Sequence, residues 1–188
     1  NGVTQINGYT EFEQPQVIEN QDMAQLGYSD IRAYKIENAG ELAWFVQHFY
    51  AGDLETQNVS LADNIDMSAL AAYSWTPLGY YNVETQTGKS YDGVFDGNGY
   101  SISNIILNQI NGVDLVSKVS EEQAAVLGTQ PIENIAQNAL AGVFGYIGSA
   151  GHVTELKLEN TSITSNADAG VLTGRNEGSI SACVTSGA

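Results

Sequence analysis

Ala169-Gly170-Val171-Leu172-Thr173-Gly174-Arg175-Asn176-Glu177-Gly178-Ser179-Ile180 sets a short apolar pair between glycines and follows it with a second glycine and an apolar ladder. The same cassette stands at Gly93-Val94-Phe95-Asp96-Gly97 and at Gly142-Val143-Phe144-Gly145, with Gly99 and Gly151 in the place of Gly178. Ile102, Ile105 and Leu107 line up with Val153, Leu156 and Leu158, and again with Ile180, Cys183 and Thr185. Self-similarity at a period of a few tens of residues signals stacked supersecondary units. Each ladder is too short to bury its apolar face alone, so the spacing predicts an all-β solenoid of parallel strands whose apolar rows stack copy on copy. Glycines supply positive φ or room at the corners. Asn98, Asn104, Asn160 and Asn176 suit left-handed corners.

Outward from the cassettes the chain divides into three parts. Residues 1–30 are Gln- and Asn-rich and read as an irregular leader that wraps the fold. Residues 31–58 hold a strand, Ile31 to Ile36, and a helix opened by Asn38 with Glu41 in a capping-box spacing. That helix carries Leu42, Phe45, Val46 and Phe49 on one face, ends at Gly52, and is placed to cap the N-terminal end of the stack. Residues 59–188 hold the rungs, beginning with the alternating Val59-to-Met67 segment and interrupted by an insertion at about 109–139. Ser120-Glu121-Glu122-Gln123, Gly128 and Pro131 predict two short helices inside that insertion. The third cassette stops at Ala188 just after its ladder, which predicts further rungs beyond it in the native protein, and a start at Asn1 rather than Met reads as a trimmed fragment.

Six Lys and Arg against twenty-two Asp and Glu give a net charge of −16. Such a surface repels phosphate backbones and anionic head groups, which excludes nucleic acid and acidic membranes as natural partners. No apolar run reaches the ~20 residues of a membrane span, so membrane insertion is not expected. The single cysteine, Cys183, cannot form an internal disulfide, and its ladder position predicts a small buried hydrophobe.

The segment Gly170 to Ile180 resembles the Gly-apolar-x-Gly-x-Asn-x-Gly-x-Ile unit of the GLUG-motif β-helix family of secreted and surface proteins of bacteria. Phe95-Asp96-Gly97-Asn98-Gly99 is similar to the segment that opens such arrays, and the helix at Glu41-Leu42 and the strand from Leu61 to Asp66 resemble its lead-in. The resemblance runs from about Tyr34 to the C-terminus, broken by the insertion, and its order is more telling than any one motif. It implies a right-handed parallel β-helix of an adhesin-like protein, or a region beside the catalytic domain of an IgA-specific metalloendopeptidase. It implies no catalytic residues for this chain.

Chemistry-bearing residues are few. Zinc hydrolysis needs clustered His and carboxylate ligands, whereas His48 and His152 are the only histidines and no His-Glu-x-x-His occurs. Gly148-Ser149-Ala150-Gly151 has the wrong spacing for a nucleophile elbow and reads as a turn. Asp63, Asp66, Asp92 and Asp96 are the carboxylates placed for paired acid–base work or for a calcium ion at neighbouring corners, although their plain reading is solvated turn residues. Calcium is therefore the one weak cofactor candidate. Trp75, Tyr80, Tyr81 and Tyr91 form, with Tyr73, an aromatic concentration. Exposed, it would stack on sugar rings or anchor a protein; buried, Trp75 and Leu78 would fill space under the cap, leaving Tyr80 and Tyr81 as the outward members. Asn58-Val59-Ser60 and Asn160-Thr161-Ser162 have the form of N-glycosylation sequons, which a bacterial origin would make incidental.

These observations predict a non-catalytic module of a bacterial secreted or cell-surface protein, recognising a host or matrix glycan or protein and joined to further repeats or domains. The alternatives are a carbohydrate-active lyase or hydrolase, the accessory region of a surface metalloprotease, and a rigid spacer. The insertion is expected to shape any recognition surface.

Overall fold

A computed structural model describes residues 2–6, 9–52, 54–82, 86–112, 115 and 140–187. The helices predicted at Ser120 and Pro131, the bulk of the 109–139 insertion and the edge at Ala188 lie outside these residues.

The leader is not irregular. It forms β1 (Val3–Ile6), β2 (Tyr9–Phe12), β3 (Gln16–Glu19) and a short helix, α1 (Gln21–Gln25). Asn20 caps α1, its side chain accepting from Asp22 N–H. The strand and helix read from Ile31 to Gly52 form as β4 (Arg32–Ile36) and α2 (Ala39–Ala51). Asn38 Oδ1 accepts from Glu41 N–H at 3.0 Å, and Glu41 Oε2 reaches back to the Glu37 N–H rather than to that of Asn38. Leu42, Phe45, Val46 and Phe49 are buried, so α2 delivers its apolar face to the core. Then follow β5 (Asn58–Leu61), β6 (Ile65–Asp66), a 3-10 turn (Met67–Leu70) and the hairpin β7 (Tyr80–Asn82) and β8 (Thr87–Lys89). The cassette region supplies β9 (Val94–Asp96), β10 (Ser101–Ser103) and β11 (Ile106–Asn108). After the insertion come β12 (Phe144–Ile147), β13 (His152–Thr154), β14 (Lys157–Glu159), β15 (Ser162–Thr164), β16 (Thr173–Asn176), β17 (Ser179–Ser181) and β18 (Val184–Ser186).

The expectation of an all-β right-handed parallel β-helix is corrected by the pairing of these strands. Among the described residues they fall into six separate sheets, three of them two-stranded parallel or longer parallel ladders and others antiparallel or mixed. β1 with β2, β3 with β4 and β7 with β8 run antiparallel, and β3 makes the six-stranded sheet β17-β13-β9-β5-β4-β3 a mixed one. With α2 contributing much of the apolar core, the result is a mixed α and β arrangement of small sheets, and no continuous solenoid is formed among the described residues. The physical reason is strand length. Most strands hold three or four residues, so ladders break at every corner, and neighbours close in sequence, β3 with β4 and β7 with β8, pair antiparallel.

Within the six-stranded sheet, Tyr34, Val59, Phe95, Val153 and Ile180 form one row. Val59, Phe95 and Val153 are buried in the main core with α2. Strand alternation sends the flanking rows to the other face: Ser60, Asp96, Thr154 and Ser181 on one side, Asn58, Val94, His152 and Ser179 on the other. A second small cluster of Met23, Ala33 and Val94, with Tyr28 and Ile31 against it, fixes α1 onto that outer face.

The register also corrects the alignment of the first cassette. Val153 pairs with Phe95 and Ile102 with Leu158, so Gly93 to Gly97 matches Gly151 to Thr154 and not Gly142 to Gly145. The second and third copies align as expected, Val153 with Ile180 and Leu158 with Thr185. Most cassette glycines serve close approach: a Cβ at Gly97 would lie 2.4 Å from Leu156 Cα, and one at Gly178 would lie 2.2 Å from the Gly151 carbonyl. Left-handed corners fall instead to Asn98 (φ 50°), Asn104 (59°) and Asn160 (50°), with Glu155 (51°) and Ala182 (52°) at others. Cys183 is half-buried, and burial raises its thiol pKa.

Candidate functional site

The aromatic residues separate into core and flank. Tyr91 and Trp75 are buried, Trp75 Nε1 donating to the Val143 carbonyl at 3.0 Å and Tyr91 OH donating to the Gln57 carbonyl at 2.9 Å. Their placement corrects the expectation that either ring meets a ligand, because no face of a buried core ring is free. Tyr80 and Tyr81 are half-exposed on β7. One face of Tyr81 carries the Arg175 guanidinium, 4.0 Å from the ring centroid, with Tyr146 edge-on at 5.6 Å. Glu177 holds that guanidinium and accepts from Tyr146 OH at 2.8 Å. Tyr80 stacks on Tyr50 at 6.3 Å. The flank is thus a self-satisfied aromatic–cation cluster.

The four aspartates do not converge. Asp63 accepts from Asn64 N–H at 2.7 Å, and Asp66 accepts from Ser68 N–H and from Asn104 Nδ2. Asp92 accepts from Ser90 Oγ at 2.5 Å and from Ala150 N–H at 3.2 Å. Asp96 is buried. Among the described residues no three His, Cys, Asp or Glu side chains gather as a metal site. His48 sits half-buried on α2, stacked on Trp44 at 3.7 Å with its pKa lowered by burial, while His152 stands on the outer sheet face.

A polar cleft lies where α1 crosses that outer face. It encloses about 210 Å³ and is lined by Asp22, Gln25 and Leu26 from the α1 side and by Asp96, Asn98, Thr154 and Glu155 from the sheet and its corner. Asp96 forms the base. Its Oδ2 accepts from Asn20 Nδ2 at 3.1 Å and its Oδ1 from Asn98 N–H at 2.8 Å, while Asn20 Nδ2 also reaches Ser60 Oγ. Leu26 is exposed, an apolar platform at the rim. A second recess, under Tyr73, Trp75 and Leu115, holds about 10 Å³, room for about one water.

A relay of side chains borders the cleft. Tyr28 OH lies 2.5 Å from His152 Nδ1, His152 Nε2 lies 3.0 Å from Ser181 Oγ, and Ser181 Oγ donates to Thr154 Oγ1 at 3.0 Å. The order hydroxyl, imidazole, orienting group has the form of an activated nucleophile. Its third member is a phenol whose pKa burial raises, so it stays neutral and lacks the charge that a carboxylate would offer an imidazolium. The relay instead fastens the segment after α1 to β13 and holds the cleft's wall. Asp96 and Asn98 were the only cleft residues that sequence reasoning singled out. Asp22, Gln25 and Leu26 carried no periodic signal.

No protein-family model matches the chain, and no solved structure matches it. Among curated proteins, halomucin of Haloquadratum walsbyi is 29% identical over 129 residues, which is 68% of this chain and 1% of halomucin. The chain therefore spans a very small part of that relative. The likeness hints, coarsely, at a surface or secreted protein. It does not bear on the GLUG resemblance, which rests on the quoted residues alone. No helix among the described residues is long and apolar enough to cross a membrane.

Proposed function

We propose that this chain is a non-catalytic recognition module of a secreted or cell-surface protein, and that it binds a neutral, hydroxyl-rich ligand, a glycan end or branch, in the cleft between α1 and the outer sheet face. The observation that carries this reading is the lining itself. Carboxylates of Asp22, Asp96 and Glu155 accept hydroxyl protons, the Asn98 and Gln25 amides and the Thr154 hydroxyl offer further polar contacts, and Leu26 supplies an apolar face. Among the described residues no Lys or Arg lines the cleft, so acidic sugars are disfavoured. At about 210 Å³ it is smaller than the ~300–1,000 Å³ typical of drug-sized ligands, which suits one ring rather than a long oligosaccharide. The GLUG resemblance and the halomucin likeness are compatible with this reading.

Calorimetric titration with neutral and uronate-containing oligosaccharides tests it. Saturable binding of a neutral sugar is expected, weakened about tenfold in Glu155→Gln, about the worth of one hydrogen bond to a charged group. Binding of acidic sugars alone, or no binding across the set, would overturn it. Release of reducing or unsaturated sugar would favour the enzyme alternative.

A further inference from the structure

The two Asn-x-Ser/Thr sequons occupy opposite environments. Asn58 is buried, and both hydrogens of its Nδ2 are committed, one to the Asp30 carbonyl at 3.0 Å and one to the Arg32 carbonyl at 3.1 Å. Its Oδ1 accepts from Val94 N–H at 2.9 Å. This amide ties the leader, β4 and β9 together, and a sugar on Nδ2 would replace one of its two committed hydrogens, break that bond and demand space at a buried position. Asn160 stands at an exposed left-handed corner between β14 and β15, with φ 50° and its backbone N–H bonded to the Ser186 carbonyl. Ser162, which completes the sequon, is also exposed, and the intervening residue is Thr161 and not proline.

We propose that Asn160 is an N-glycosylation site of the folded chain and that Asn58 is a structural asparagine closed to the same modification. The donor class is a lipid-pyrophosphate-linked oligosaccharide. Asn160 Nδ2 forms a bond to the anomeric carbon, the carbon–oxygen bond to the pyrophosphate breaks, one amide proton is released, and nothing is oxidised or reduced. The corner position leaves the glycan in solvent, since Asn160 is an exposed bend residue and its side chain is not part of the core. The modification is distinct from ligand binding in the cleft, which involves neither residue.

The test incubates the folded chain, carrying a flexible reference sequon fused at its end, with a purified oligosaccharyl transferase and its lipid-linked donor. Peptide mass spectrometry then reads occupancy site by site. Occupancy at Asn160 comparable to the fused sequon is expected, abolished by Asn160→Gln, with Asn58 below a tenth of it. A free peptide spanning Asn58 should be modified, which separates closure by the fold from an unsuitable sequence. A modified reference sequon beside an unmodified Asn160, equal occupancy at Asn58 in the folded chain, or a free Asn58 peptide that stays unmodified would each overturn the proposal.

Discussion

Asn20 Nδ2 donates to Asp96 Oδ2 at 3.1 Å, joining residues 76 positions apart and setting the floor of the cleft against the start of α1. The same side chain caps α1 through its Oδ1. Two unrelated elements are therefore fixed by one amide.

Asn20→Ala removes both functions. Loss of the cap costs about 1 kcal/mol, and loss of a hydrogen bond to the buried Asp96 carboxylate costs about 1.5–3 kcal/mol, so destabilisation of about 2.5–4 kcal/mol is expected. Urea denaturation measures it. A change under about 0.5 kcal/mol, the range of an ordinary surface substitution, would mean that α1 is not anchored there.

Ala182 sits exposed in the left-handed region, where a side chain with Cβ costs about 1–2 kcal/mol. Ala182→Gly relieves that and returns about 0.4–1 kcal/mol through unfolded-chain entropy, so a net gain of about 0.5–1 kcal/mol is expected. A lowered denaturation midpoint would contradict the corner geometry.

The helix and its caps were legible because their signal is local: Asn38, Glu41 and Gly52 act within four residues of the bonds they make. Asn98, Asn104 and Asn160 were legible as left-handed corners for the same reason, whereas Asn176 lies inside β16. Parallel register was half-legible. Gly-x-x-Gly recurs on more than one side of each layer, so the first cassette matched Gly142 to Gly145 by pattern while it pairs with Gly151 to Thr154 in space. The cleft was not legible, since α1 is held over that face by long-range contacts, the bonds of Asn20 to Asp96 and of Tyr28 to His152 and the packing of Met23 with Val94. The leader's antiparallel strands likewise depend on partners that its own polar composition does not announce.

Two carboxylates give opposite pH signatures. The Asn104 amide, with the Ser68 N–H and hydroxyl, holds Asp66 below its ordinary value of 3.8. A depressed folded value means stabilisation present above 3.8 and lost as pH falls through the folded value. Burial, followed by the Glu13 and Glu37 charges, raises Glu41 above 4.5, although N–H groups oppose the shift. Its contribution is therefore present below 4.5 and lost as pH rises through the folded value. Asp66→Asn should flatten the acid limb of the stability curve, and Glu41→Gln should gain on the parent as pH rises towards neutrality. Denaturation midpoints across the acid range check both, and an unchanged acid limb in Asp66→Asn would contradict the first.

Recognition in the α1 cleft is tested most directly by following backbone amide resonances of the isotope-labelled chain as a neutral oligosaccharide is added. Saturable shifts confined to Asp22, Gln25, Leu26, Asn98, Thr154 and Glu155 and their neighbours are predicted. Shifts centred on Tyr80, Tyr81 and Arg175, with the cleft amides unmoved, would contradict the account.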